Sequence, residues 1–471
     1  MNQDYSESFD EYNETSLEEV AGRFEAMLKR KETPAFSEEI FESLSEYYLV
    51  KGNFEFALKV CNFGLKLYSG SLDLMLNKVQ ILINRLELYE ATEILDHASI
   101  FYPSDTEIQY FRGVIFVYSG ENEKAIEIFH EILPIAEEKD NIYFQLGMAQ
   151  SGLGRLEDSI ESFQSAIKLN TKSEILYTEL VFSYELAGSI ELGIKYFKEL
   201  IDSDPYNYLA WFALGQCYNN LGLFEQGEDA FEYVTAINKS FSGGWFNLGI
   251  SQLNLEEYEE AKQSFLTTLQ LEEPSPDVLT HLGSAYEKLE EYAEAFKSYK
   301  KATEIDDFMD EAWYGMASVL YEQEKYIEAI HFIKKALKLN GVNSDYWLLL
   351  ADNESKFGNA VSAEEAYQKA AELDPINPDV WLNWSLMYFE AEDYKRAFDI
   401  LIDGLEDLPE EADLYYRATV YLLYDGSFNL AYKYLQEALV LDFDKHIQLY
   451  DFFSNLETLK TLQRIIDQFK K

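Results

Sequence analysis

Basic residues are scarce in this chain. Its 38 lysines and arginines stand against 86 aspartates and glutamates, a formal net charge of −48 over 471 residues. A nucleic-acid ligand needs a basic footprint to displace counterions from phosphate, so the field here has the wrong sign for one. An anionic membrane surface is disfavoured for the same reason. Two readings of the acidity stay open: a solvated, self-repelling surface that keeps an aromatic-rich chain soluble, or a surface that draws in a basic partner. Cysteine is almost absent. Cys61 and Cys217 fall in helical patterns far apart in the chain and read as buried free thiols, without a disulfide framework or a four-ligand metal set. With only 9 prolines and no long Gly- or Ser-rich stretch, no linker between domains is visible. No apolar run approaches the ~20 residues of a membrane span. Met1 to Ser16 lacks the basic segment and apolar stretch of a secretory leader. The expectation is a cytoplasmic protein, not inserted in a membrane, that needs no cofactor or metal.

What the chain has in abundance is repetition. A 34-residue pattern recurs about twelve times without insertion or deletion. The repeats begin at Glu38, Leu72, Thr106, Asp140, Glu174, Tyr208, Ser242, Pro276, Asp310, Ser344, Pro378 and Ala412. A fixed period of that length marks stacked helix–turn–helix modules, each touching only its neighbours. Every repeat holds two apolar stripes at helical spacing, broken by a short turn. In the repeat from Ser242 the first stripe is Trp245, Leu248, Gly249 and Gln252, and the second is Ala261, Phe265 and Thr268. Gly249 and Ala261 suit the point where two helices cross, because small side chains allow close approach. The fifteenth place is glycine in several repeats, from Gly52 to Gly426, where a helix can end in the left-handed conformation. Pro103, Pro205, Pro375 and Pro409 share the thirty-second place and stop a second helix there. Ser275-Pro276 and Asn377-Pro378 read as an N-cap followed by a first-turn proline. At the amino end, the pattern predicts an acidic disordered tail over 1–15 and a capping helix over 16–37, opened by the capping box Ser16–Glu19. Beyond the array, 38–445, capping helices are expected over 446–471, with a second box at Ser454–Glu457 and a last helix from Asn455 to about Gln468.

The copies Trp211-Phe212-Ala213-Leu214-Gly215-Gln216-Cys217-Tyr218 and Trp245-Phe246-Asn247-Leu248-Gly249 strongly resemble the tetratricopeptide repeat family, and the likeness runs from about Glu38 to about Lys445. The first three repeats match worst: Phe41, Met75 and Gln109 stand in place of tryptophan, and Ser45 and Val79 in place of the crossing glycine. The resemblance implies an all-α fold, a right-handed superhelical α-solenoid with terminal capping helices, whose first helices line a concave groove. It also implies that the second, fifth, sixth, ninth, twelfth and thirteenth places of each repeat face that groove. The fifth place holds Tyr110, Phe144, Phe212, Phe246, Tyr314 and Tyr416. Aromatics are enriched at binding surfaces because they bury much area at little entropic cost. The rival reading is that these rings pack between neighbouring first helices. The sixth place holds Asn77, Asn247 and Asn383, a residue that in some relatives bonds the backbone of an extended peptide. Glu179, Asp277 and Glu311 also fall at groove places, where chaperone-tail binders of the family carry Lys, Asn and Arg. The clamp for a terminal carboxylate is therefore absent.

No catalytic constellation stands out. His97, His130, His281, His331 and His446 are scattered over different repeats, with no pair at metal-ligand spacing on one helix. Gly152-Leu153-Gly154 follows a helix and not a strand, and Gly154 is already explained as a turn residue. No serine or cysteine has a recognisable nucleophile elbow or partner. The expected function is a non-catalytic protein–protein interaction scaffold or adaptor, holding a protein segment with basic and apolar residues in the groove. The alternatives are a regulatory or targeting subunit of an obligate assembly, docked through the irregular first repeats, and an enzyme with an unrecognised carboxylate site.

Overall fold

The computed structural model describes residues 4–452 and 460–470, and among these every regular element is helical. Each repeat supplies two helices of similar length, for example Ser242–Asn254 followed by Tyr258–Leu271. The first helices open at the residues the 34-residue register predicts in every repeat but the fourth, where the helix Lys139–Gly152 begins one residue early. Caps follow the sequence closely. Ser275 accepts the amide of Val278 and Asn377 that of Asp379, each ahead of a first-turn proline.

The chain divides into two bodies, Met1–Ile237 and Asn238–Lys471. The first begins with a helix over Asp4–Lys29 and carries six helix pairs, from Glu38–Val50 to Phe224–Ile237. The second carries six more, from Ser242–Asn254 to Phe428–Leu441, then a 3-10 turn over Asp444–Gln448 and short helices over Leu449–Phe452 and Lys460–Phe469. Within each body the two helices of a repeat pack on each other, and the second packs on the first helix of the repeat that follows. This is the helical-repeat solenoid that the register implies.

One contact builds the core of five repeats. The eighth-place glycine lies directly against the aromatic ring at the twenty-fourth place. A Cβ added to Gly147, Gly215 or Gly249 would meet Phe163, Phe231 or Phe265 at 2.6–2.7 Å. Those rings are fully buried, as are Ala57, Ala261 and Ala397 at the twentieth place. In the first repeat, which has Ser45 at the crossing, the close approach moves to Gly64, where a Cβ would meet Leu74 at 2.7 Å.

The fifteenth place is left-handed in all twelve repeats, whatever residue stands there. Seven are glycine; the others are Leu86, Glu256, Glu290, Glu324 and Glu392, with φ of 60–63°. Joints between repeats are pinned as well. The indoles of Trp211, Trp245, Trp313, Trp347 and Trp381 each donate Nε1–H to a carbonyl six residues back, at 2.9–3.0 Å.

The ends depart from the sequence reading. The helix Asp4–Lys29 opens inside the segment expected to be a disordered tail, so Ser16 lies within a helix and not at its cap. The run 4–15 contains neither proline nor glycine, and nothing in its backbone chemistry stops a helix. The capping box Ser454–Glu457 and the start of the last helix at Asn455 lie outside the described residues. Among those described, no helix is long and apolar enough to cross a membrane.

Candidate functional site

The first helices carry the fifth-place aromatics, and the structure sorts these into two groups. Tyr110, Phe144, Phe246 and Tyr314 are part-exposed. Phe212 and Tyr416 are buried, 3% and 1% exposed, so neither presents a face to a partner. Their burial has local causes. Phe212 meets the core ring of Phe231 edge-on at 5.9 Å. Tyr416 sits in a core cluster that includes Leu449 and Leu462, and its hydroxyl donates to the Asp442 carbonyl at 2.6 Å. The part-exposed rings also rest on the core: Phe144 on Phe163 at 5.9 Å and Phe246 on Phe265 at 6.0 Å. Tyr314 stacks on Tyr346 of the next first helix at 4.9 Å. Packing between neighbouring helices and part exposure thus coexist at one place.

In the first body, Tyr110 and Phe144 line the same cavity of about 210 Å³. Asp140, Asn141, Gln145 and Asn170 supply its polar wall. Asn170 donates to the Asp140 carboxylate at 3.0 Å, which fixes that oxygen at the cavity wall. Burial pushes the Tyr110 hydroxyl up to about 12, with Glu138 and Asp140 adding to the rise and a bond with Gln145 opposing it. Larger depressions of about 390 and 460 Å³ are lined by Ile402, Tyr415 and Tyr434 and by Met75, Glu93 and His97. Neither contains a fifth-place aromatic.

Acidic residues accompany the rings. Glu179 is part-buried, and desolvation raises its carboxyl above the ordinary value. Asp277 and Glu311 are exposed in the second body. Glu311 is raised by partial desolvation first, then by Asp310 and Asp277, so these carboxylates feel one another. Burial pushes Tyr314 up to about 12, with Asp345 and Glu287 adding to it.

The asparagines are engaged within the protein. Asn247 donates to the Gly243 carbonyl of its own helix at 2.9 Å, Asn77 to Ser45 Oγ at 2.8 Å, and Asn383 to Asp352 Oδ2 at 3.2 Å. The last bond belongs to a cluster that sequence spacing did not single out as a unit. The Tyr367 hydroxyl also donates to Asp352, at 2.6 Å, and burial pushes the Asp352 carboxyl up to about 6. A second such group is Glu287, which accepts from Tyr299 at 2.8 Å and Ser318 at 2.6 Å. Carboxylates at the ninth and twelfth places beside a core tyrosine were the available signal. Among the described residues, no three His, Cys, Asp or Glu side chains converge as metal ligands. Cys61 and Cys217 are buried and unpaired.

Profiles of the tetratricopeptide repeat match residues 140–173, 243–273 and 276–308, residues 310–341, and residues 183–240 and 348–410. Together they cover more than half of the chain, which belongs to the tetratricopeptide repeat family. The matches begin at the fourth repeat, beyond the three that depart furthest from the family pattern. A search of curated proteins finds no match. Among solved structures the chain is similar to the APC/C hetero-tetramer Cut9-Hcn1, at 14% identity over 88% of this chain and 95% of that one, with a TM-score of 0.46. It is also similar to YrrB, described as a TPR protein with an unusual peptide-binding site, at 18% identity over 39% of this chain and 95% of that one, with a TM-score of 0.33.

Proposed function

We propose that this protein is a cytoplasmic, non-catalytic interaction scaffold. It holds a segment of another protein, one combining apolar and basic side chains, against the faces of its first helices. The carrying observation is the cavity of about 210 Å³ in the first body, where Tyr110 and Phe144 meet the Asp140 carboxylate and the amides of Asn141 and Gln145. Ring faces take apolar or cationic groups, and a carboxylate beside them favours Lys or Arg. In the second body Phe246 and Tyr314 are part-exposed on first helices, and Asp277 and Glu311 are exposed at the second places of first helices. A chain of net charge −48 also speeds encounter with a basic partner.

The test starts from the tagged protein purified from its own cells, with its partner identified by mass spectrometry. Replacing Tyr110 and Phe144 together by Leu keeps apolar packing against Phe129 and Phe163 but removes the ring faces. The dissociation rate should rise by roughly tenfold, as for loss of a desolvated anchor. An unchanged rate would remove this cavity from the reading.

A further inference from the structure

The joints of the second body show an arrangement that the first-helix faces do not explain. Phe308, Val342 and Ile376 occupy the thirty-third place of three successive repeats, and they are 74%, 77% and 67% exposed. Nothing about folding calls for an apolar residue there, since the same place holds Ser240 at another joint of this body. All three turns that carry them are held on one side, and two of them on both. The carbonyls just before them, of Asp307, Gly341 and Pro375, accept the indoles of Trp313, Trp347 and Trp381. Just after two of them, Asn343 and Asn377 cap the next helix by accepting the amides of Asp345 and Asp379 at 2.9 and 3.0 Å. Three apolar side chains therefore stand in solvent on fixed backbone, where ordering them again on binding costs little.

Charge selects the occupant. The joints 306–311, 340–345 and 374–379 contain no Lys, Arg or His. Asp307, Asp345 and Asp379 are exposed beside the apolar row. A second copy of this chain would bring the same acidic edge and repel, and an anionic membrane or a nucleic acid would do so too. Consecutive first helices of these repeats touch, so neighbouring joints lie roughly 8–10 Å apart. About six extended residues, at ~3.3 Å each, cover the three.

We propose that the joint edge formed by Phe308, Val342 and Ile376 is a second docking surface, which binds a short extended protein segment with apolar side chains separated by Lys or Arg. Its apolar row stands on the turns and not at the fifth place, while its acidic flank, Asp345 and Asp379, shares the second place with Asp277 and Glu311.

Random short peptides displayed on phage are selected against the full chain. Enriched peptides are then titrated against the full chain and against the triple variant Phe308→Ser, Val342→Ser, Ile376→Ser. Ser already serves at this place in Ser240, and circular dichroism melting checks that the variant folds. The expected result is enrichment of basic–apolar sequences whose affinity falls about tenfold or more in the triple variant. A second pair, Asp345→Asn with Asp379→Asn, should weaken the same peptides and flatten their salt dependence. The single variants Val342→Ser and Ile376→Ser carry the test if the triple variant melts early. Acidic sequences, affinity equal in the variants, or no enrichment would overturn the edge. Peptides weakened only by the Tyr110→Leu, Phe144→Leu pair would also overturn it, while leaving the first-helix reading in place.

Discussion

The Trp347 indole donates its Nε1–H to the Gly341 carbonyl at 2.9 Å, so the first helix of one repeat holds the last turn of the repeat before it. Trp313 and Trp381 do the same at the neighbouring joints of this body, and the Tyr415 hydroxyl reaches Pro409 at 3.0 Å in the same manner. The bond acts within one repeat interface, the term on which a solenoid's cooperativity depends. Trp347→Phe keeps a ring and removes the donor, so it should cost about 1 kcal/mol. Amide exchange should speed at the 340–345 joint before it speeds elsewhere in that body, as hydrogen-exchange mass spectrometry would show.

Gly249 and Phe265 pull in opposite directions on substitution. Alanine improves helix propensity by about 1 kcal/mol. The added methyl, however, would stand 2.7 Å from a fully buried ring. Overpacking of that kind costs roughly 1–3 kcal/mol, so it wins. Gly249→Ala should lower the urea midpoint, and a raised midpoint would mean that the ring has room to move.

At the fifteenth place the sign reverses. Glu290 holds φ at 60° although left-handed backbone costs an ordinary residue about 1–2 kcal/mol. Glu290→Gly should therefore stabilise by up to about 1 kcal/mol once the extra chain entropy of glycine is subtracted. Gly120→Ala, at φ 74°, should destabilise by a similar amount. Chemical denaturation of the pair checks both signs.

Asp352 gives a pH dependence. Its carboxyl is pushed up from 3.8 to about 6 mainly by burial, with bonds from Tyr367 and Asn383 and the charge of Lys356 opposing the rise and Asp379 adding to it. Between those values the folded state binds more protons than the unfolded one. This contribution to stability is therefore greatest at low pH and is lost as pH rises through about 6. The effect is on the order of 1–3 kcal/mol. Asp352→Asn should flatten the stability of the second body between pH 4 and 7, measured as the difference from the parent chain. A profile unchanged by the substitution would show that the carboxyl is better solvated than its bonds imply.

The helix register was legible because glycine, proline and capping residues punctuate it at fixed places, and the helices open where those residues put them. The five left-handed positions at Leu86, Glu256, Glu290, Glu324 and Glu392 were not, because residue identity argues against that conformation and the packing of the two helices imposes it. The fifth-place row was legible as a row. Which members are exposed was not: Tyr416 is buried in a cluster that also takes in Leu449 and Leu462 from beyond the array, and one repeat's sequence cannot reveal such a neighbourhood. The family resemblance marks the sixth-place asparagines as a place where some relatives bond a peptide backbone; that Asn383 donates to a carboxylate one repeat earlier was not legible. Contacts between repeats decide such matters, and the pattern within a repeat is silent about them.

The most direct test of the scaffold reading is the salt dependence of the two rate constants for the partner recovered from the protein's own cells. Raising salt from 0.1 to 1 M shortens the screening length from ~10 to ~3 Å. If the acidic first-helix faces draw in a basic, apolar segment, the association rate falls steeply while the dissociation rate changes little. An association rate indifferent to salt, or a partner whose bound segment is acidic, would contradict the account.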